Sequence, residues 1–520
     1  MNQLGLEKSA SGLSQATETT FLLEPPTSKI LPTQSEEDFY DDEIRYTPGE
    51  ESQVIRILDR RLLPCILLTT FVLNMDRTNN SNAISDNLPQ DLGFTIDTVN
   101  TATAIYSVLF SVFCLSGAVV AKIAGPSRWI PILMFAWGLV TLAHALIKDR
   151  FGYITVRCWI AITEGGVIPA TLVYLGGFYK GTELATRLAY FWGVQSVASA
   201  FSGLMASGLL QLRGLGGLEG WKWMFIVDGI ITIAVAIFTW FYLPRDLIQT
   251  RAGFGGRKAW LTDRQVRIAV TRVIRDDISK RVYEKRVQWS DIKDTLTDVG
   301  IVGHLLITSI GLTPLTPLQT YLPSVIKSFN FNVFVANALT APPYLLHGII
   351  MVTFVHHSDK TRERGYHGAF GASWQLLGWV FLWVLPKGAG RGTKYLAATL
   401  LASWPYTHPL NVAWMSENTG SIGKRTVASG LVIGASNIYG VWGSQIYRVD
   451  DAPDFKRGNL INIMFAGTAV VLWIAQKYMY RYRNAVRARK LRGMTEAERR
   501  EEDEKKEGKG NKSATFKFTT

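Results

Sequence analysis

Apolar residues in this chain gather into long blocks separated by polar stretches. The block FIVDGIITIAVAIFTWFYLP is typical, being apolar on all faces of a helix. A helix of a water-soluble protein keeps a polar face, whereas one that is apolar all round suits lipid. Runs of about 20 such residues can cross a bilayer. The pattern predicts twelve spans, at 62–84, 100–121, 129–147, 152–177, 187–211, 224–243, 300–322, 333–356, 367–386, 394–416, 426–447 and 459–481. The fold class that follows is an all-α polytopic membrane protein.

The stretches between blocks set the domain plan. Segment 244–298 is rich in Lys and Arg, as is the chain after 483. Cationic loops mark the cytoplasmic side. Both segments fall on that side if six spans precede the linker and six follow it. The loop after span 1 carries Asp86, Asp91 and Asp97 and no cation, as an outside loop should; Lys387, Arg391 and Lys394 are the one misfit. The expected plan is a disordered cytoplasmic N-tail (1–58), a six-helix bundle (59–243), a basic cytoplasmic linker (244–298), a second six-helix bundle (299–482) and a disordered charged C-tail (483–520). In the linker, LTDRQVRIAVTRVIRDD predicts a short amphipathic helix acting as a tether. Two sixes suggest the pseudo-symmetric halves of a transporter with a midplane site. The turns KIAGPSRW, after span 2, and HHSDKTRERG, after span 8, occupy matching positions.

Composition narrows the function. Charged residues are 19% of the 520, against roughly 25% in soluble domains. The net charge of +13 is accounted for by basic loops, and no basic domain for nucleic acid is visible. Residues 1–50 hold no apolar signal core, so the first span is expected to direct insertion. The three cysteines, Cys65, Cys114 and Cys158, lie inside spans without metal spacing and read as packing residues. GSIGKRT (420–426) lacks the glycine spacing of a phosphate loop. No catalytic triad, zinc set or dinucleotide fingerprint occurs, so neither an enzyme nor a cofactor is expected.

Against that apolar background, LNMDRTNNSNAI (73–84) stands out. Polar groups in hydrocarbon cost several kcal/mol without partners, and those that persist face a bundle interior or a watery path. Asp76, Asn79, Asn80 and Ala83 share one helical face, expected to line the pathway; Asn82 lies off it. Arg77 is a candidate clamp for a carboxylate, because guanidinium binds carboxylate through two parallel bonds. In span 4, Arg157 and Glu164 are two turns apart, too far to pair within one helix; Glu164 is the candidate protonation switch. Span 5 repeats small residues every fourth position (Ala198, Ser202, Ala206 and Ser199, Gly203, Ser207), which reads as helix packing, while Trp192 and Gln195 read as pathway. Asp228 marks span 6. In span 10, Pro405 and Pro409 break the helix around His408, with Asn411, Trp414 and Asn418 following on one face. Asn437 in span 11 and His347 in span 8 are weaker candidates.

These residues, in this order, resemble the major facilitator superfamily, and within it the fungal anion:cation symporters, whose members include allantoate, nicotinate and pantothenate permeases. The resemblance runs from about Asp59 to Tyr482. It is carried by Asp76-Arg77-Thr78-Asn79 with Asn82-Ala83, by KIAGPSRWIP, by RCWIAITEGGVIPA, by GLEGWKWMFIVDGIITI and by DDAPDFKRGN. The chain departs from the family pattern at Asn80-Ser81, at Asp228 where relatives often carry glutamate, and in the span-2/3 loop, whose only formal charges are Lys122 and Arg128. The resemblance implies inner-gate loops formed by Lys122 and Arg128 and by Asp359, Arg362 and Arg364, whose charges latch the halves together. It implies a monomeric, proton-coupled importer of a small organic anion in the plasma membrane. An exporter of a fungal metabolite, a non-transporting nutrient receptor and an organelle membrane are the alternatives.

Overall fold

The computed structural model describes residues 39–41, 43–252, 259–276, 289–386, 388–419, 422–496, 498 and 510–520. Most of the expected N-tail, Lys387 and parts of the linker and C-tail lie outside the described residues.

The first crossing is α1 (Pro48–Ser85). The sequence TPGE starts it: the Thr47 hydroxyl accepts from the Glu50 N–H at 3.2 Å, and the Glu50 carboxylate accepts from the Thr47 N–H at 2.9 Å. This reciprocal cap, with Pro48 in the first turn, satisfies donors that a helix start leaves open. The helix therefore begins fourteen residues before the expected span, outside the apolar block. There follow α2 (Ile96–Ala124), α3 (Pro126–Ala143), α4 (Arg150–Gly165), α5 (Val167–Phe178), α6 (Gly181–Leu209) and α7 (Gly220–Tyr242). α4 and α5 together make the fourth crossing, interrupted at Gly166. There the backbones of Gly117 and Gly166 touch, and a Cβ on Gly117 would overlap the Gly166 Cα.

The linker contributes α8 (Asp263–Asp276) and α9 (Trp289–Leu296). α8 is the expected amphipathic helix. It buries Val266, Ala269 and Val270 in one apolar cluster with Val54 and Leu58 of α1. The second half comprises α10 (Val299–Leu312), α11 (Leu315–Lys327), α12 (Val333–Ala338), α13 (Ala341–Thr361), α14 (Gly365–Val384), α15 (Arg391–Ala402), α16 (His408–Thr419), α17 (Ile422–Ile438), α18 (Gly440–Gly443) and α19 (Lys456–Arg492). α10 with α11, α12 with α13, α15 with α16 and α17 with α18 each make one crossing, so the described residues form twelve. Eight of the twelve are long and apolar enough to span a membrane by length and composition alone. The other four are the first, ninth, tenth and eleventh; the first carries the polar run at 74–82, and the tenth is interrupted at 403–407.

The halves repeat one plan. The third crossing packs on the sixth (α3 on α7), and correspondingly the ninth on the twelfth (α14 on α19). Between halves, α6 meets α12 and α13, α2 meets α17 and α18, and α1 meets α11. We call the end where α1 begins and α19 finishes the near end, and the opposite one the far end. Among the described residues, the hydrogen bonds joining the halves gather toward the far end. Asn100 donates to the Tyr447 carbonyl and accepts from the Tyr321 hydroxyl, both at 2.6 Å. Lys327 reaches the Ser85 carbonyl at 2.7 Å, and Asn337 the Ser85 hydroxyl at 2.9 Å. Here Gly203 of α6 lies against the Asn337 carbonyl.

The tail departs from its expectation. α19 continues to Arg492, and residues 510–520 pack against the near end of the second half, with Ser513 and Phe518 buried. The expected C-tail (483–520) thus includes residues that pack, while 497 and 499–509 lie outside the described residues.

Candidate functional site

A cavity of about 140 Å³ lies between the halves. From the first half, Asn74, Arg77 and Thr78 of α1 face it, with Trp192, Gln195, Ser196 and Ser199 of α6. From the second, Gln319, Tyr344 and His347 contribute polar atoms. The broken tenth crossing adds Trp404 and Tyr406. This break consists of residues 403–407, between α15 and α16, where Pro405 cannot continue the ladder. Irregular backbone at membrane depth is tolerated where it is packed in protein or lines a cavity.

Arg77 holds the charged centre. Its Nε lies 3.0 Å from Glu164 Oε2 on α4, and the Tyr106 hydroxyl donates to the same oxygen at 3.0 Å. The guanidinium also lies over the Phe110 ring, 4.7 Å from its centroid. Glu164 is fully buried, while the Arg77 side chain keeps 30% exposure toward the cavity. The pairing is incomplete: Arg77 Nη2 and Glu164 Oε1 are buried without partners. Arg157 lies over Tyr106 at 4.7 Å, with its Nε buried and unpartnered.

The face of α1 expected to line the pathway points elsewhere. Asp76 accepts from Thr141 of α3 at 3.0 Å. Asn79 donates to Asp228 of α7 at 2.6 Å and accepts from Ser202 of α6 at 2.7 Å. Asn82 donates to Ser202 at 3.0 Å, and Asn80 accepts from the Tyr153 hydroxyl at 3.0 Å. Asp76 and Asp228 are both buried, and Asp228 Oδ1 has no hydrogen-bond partner. Among the described residues no ion pair reaches either one. Periodicity correctly groups these side chains, but the cavity lies on the neighbouring face, at Asn74, Arg77 and Thr78. The grouped face is the inner seam of the first half.

Similar corrections apply to the second half. Asn411 is tied to His304, whose Nδ1 is 2.7 Å from Asn411 Oδ1, and to Thr308 at 2.9 Å. Asn418 bonds the Thr519 backbone. Asn437 donates to its own helix at Ile433. His408 is buried beside Tyr406, off the cavity wall. In the turn after α13, Arg364 pairs with Asp359 and, at 2.7 Å, with Glu417. Arg362 caps α13 in a left-handed conformation. Among the described residues, these partners of Arg364 lie within the second half, so this pairing latches that half to itself. Arg128 stands exposed in the first turn of α3, and the Lys122 side chain lies outside the described residues. Sequence reasoning missed Asn74, Thr78, Gln319, Tyr344, Trp404 and Tyr406. Only the proline break gave a signal, and it pointed to His408 instead of the residues just before it.

A central cavity between two pseudo-symmetric six-helix halves defines a secondary transporter. The chain belongs to the Major Facilitator Superfamily, whose profile matches residues 66–444. It is 31% identical over 485 residues to an uncharacterized transporter of Saccharomyces cerevisiae, covering 92% of this chain and 89% of that one. An MFS-type transporter of Penicillium expansum is 29% identical, covering 79% of this chain and 80% of its own. Among solved structures, a bacterial homologue of the human lysosomal transporter Spinster, inward-facing and unoccupied, superposes with a TM-score of 0.63 at 14% identity, covering 83% of this chain and 98% of that one. A D-xylose–proton symporter gives 0.61 at 12% identity, covering 79% and 96%. Likeness at these identities concerns the fold. The protein is a multi-pass membrane transporter and not an enzyme.

Proposed function

We propose that the protein is a proton-coupled symporter that carries a small organic anion across the plasma membrane by alternating access, with both chain ends cytoplasmic. The observation that supports this reading is Arg77, a cation on the cavity wall with one nitrogen bonded to Glu164 and another, Nη2, unpartnered. A substrate carboxylate and Glu164 compete for the same guanidinium. When Glu164 takes a proton, its hold on Arg77 falls from an ion pair to a neutral hydrogen bond, and the substrate anion takes its place. Loading thus joins proton and anion in one step. Charged hydrogen bonds contribute about 1.5–3 kcal/mol, or roughly 10- to 100-fold in affinity. Trp192, Tyr344, Trp404 and Tyr406 offer flat apolar walls to the rest of the substrate. Behind α1, a proton shared by Asp76 and Asp228 would turn two repelling carboxylates into a hydrogen-bonded pair.

The test is uptake into proteoliposomes under an imposed proton gradient, with labelled nicotinate, pantothenate and allantoate as the panel. Uptake of one member should collapse with a protonophore, and its acid form should compete at least about tenfold better than its amide. Equal competition by nicotinate and nicotinamide discards the anion; uptake indifferent to the gradient discards the coupling.

A further inference from the structure

Residues 510–520 are held chiefly through their backbone. Asn484 of α19 donates to the Phe518 carbonyl and accepts from the Phe518 N–H, both at 2.9 Å. Asn418 of α16 treats Thr519 in the same way, at 3.1 and 2.8 Å. Trp414 Nε1 adds a second donor to the Thr519 carbonyl at 2.8 Å. An amide side chain presents a donor and an acceptor together, so it pairs with a peptide unit as a neighbouring strand would. Arg487 donates to the carbonyls of Phe516 and Asn511, at 2.7 and 2.6 Å.

Two side chains of the segment add selectivity. Asn511 is gripped between Asp298 at 2.8 Å and Lys424 at 2.9 Å. Phe518, 2% exposed, stacks on the Tyr480 ring with centroids 4.8 Å apart, and the Arg487 guanidinium lies 4.3 Å from its centroid. An aromatic anchor flanked by backbone-reading groups is the usual make-up of a peptide site.

We propose that the near end of the second half is a peptide-binding site whose ligand, in cis, is the segment 510–520: a peptide that opens in a short 3-10 helix and a turn, with an asparagine near its start and a phenylalanine anchor seven residues later. The site joins α16 and α17 to α19 and to the start of α10. α16 directly follows the break that supplies Trp404 and Tyr406 to the cavity. Docking therefore pins the near half of the broken crossing to α19, and release frees it to move. The proposal is independent of which substrate the cavity takes.

Hydrogen exchange on the intact wild-type chain is the first test. The amides of Phe518 and Thr519 should exchange at least about tenfold slower than in a free peptide of residues 510–520. Exchange at the free-peptide rate overturns the proposal. The second test uses full-length variants and a fluorescent peptide of residues 510–520. The Phe518→Ala chain should bind it saturably. The wild-type chain should bind it at least about tenfold less, because its own segment competes at high effective concentration. Adding Asn484→Ala to Phe518→Ala should remove the binding. Equal binding to wild type and Phe518→Ala, or binding indifferent to Asn484→Ala, overturns the site.

Discussion

In the first half, Asp76, Glu164 and Asp228 are buried within the bundle, and Arg77 is the only cation bonded to any of them among the described residues. In the first turns of α10 and on the helices facing them, the second half places hydrogen-bonded His304, Asn411 and Gln476, joined to Tyr480, Thr308 and the Gly300 carbonyl. Three of its ion pairs, Asp298–Lys424, Glu363–Lys477 and Arg364–Glu417, stand at the near end, while the exposed pair Asp450–Arg457 lies at the far end. Buried charge is expensive unless fully paired, and neutral hydrogen bonds hold helices together at less cost. The proposed coupling therefore rests on the first half, where the buried carboxylates are. The second supplies shape: an aromatic wall, a broken helix and a clamped end.

Substitutions can break that division of labour. The largest effect is expected for Glu164→Gln. If Glu164 carries the coupling proton, proton-driven accumulation should fall about 100-fold or more, because the variant cannot pass between ion pair and neutral partner. Exchange of internal for external substrate should survive. Both are measured by counterflow and gradient-driven uptake in proteoliposomes, and retained pH-dependent accumulation would move the proton site to Asp76 or Asp228. Next, Arg77→Ala should erase the preference for acid over amide, a loss of about 10- to 100-fold in relative competition. A preserved preference would shift the anion contact to Arg157.

The second half should respond in stability instead. His304→Phe removes bonds to Asn411 and Tyr480. It should lower the unfolding free energy of purified protein by about 1–3 kcal/mol and leave the pH profile of uptake unchanged; a shifted profile would give this half a share of the coupling. The smallest effect concerns Asp298, just before α10. Burial pushes its carboxyl up, but hydrogen bonds from Lys424 and Asn511 prevail and draw it down to about 2. A carboxyl lowered on folding contributes stability that is present above its ordinary value and lost as pH falls through the folded one. Docking of 510–520, followed by hydrogen exchange corrected for intrinsic rates, should therefore be flat from pH 5 to pH 8. A titration in that window would assign the control to another group.

The fold was legible because lipid demands unbroken apolarity, which GIITIAVAIFTWFY displays without any knowledge of its neighbours. Trp192 and Gln195, an aromatic and a polar residue one turn apart, share a face, and that face lines the cavity. What periodicity withholds is where that face points. Asp76, Asn79 and Asn80 meet partners from 65 to 149 positions away, and nothing local distinguishes an internal seam from a channel wall. Asn418 failed for the same reason, its partner being Thr519, 101 residues on. The charged run before residue 510 masked the short sequence SATFKF, whose phenylalanines find their place only against Tyr480 and Arg487.

Gly203 sets how far the far end can shut. A methyl group there would come within 2.7 Å of the Asn337 carbonyl oxygen, a backbone atom that cannot swing aside as a side-chain tip does. Alanine at this position would act as a doorstop, tolerable only while α6 and α12 stand apart. That single methyl offers a way to trap the opposite conformer for imaging without touching the cavity, so the far-side entrance becomes visible in a protein whose charged residues are all intact.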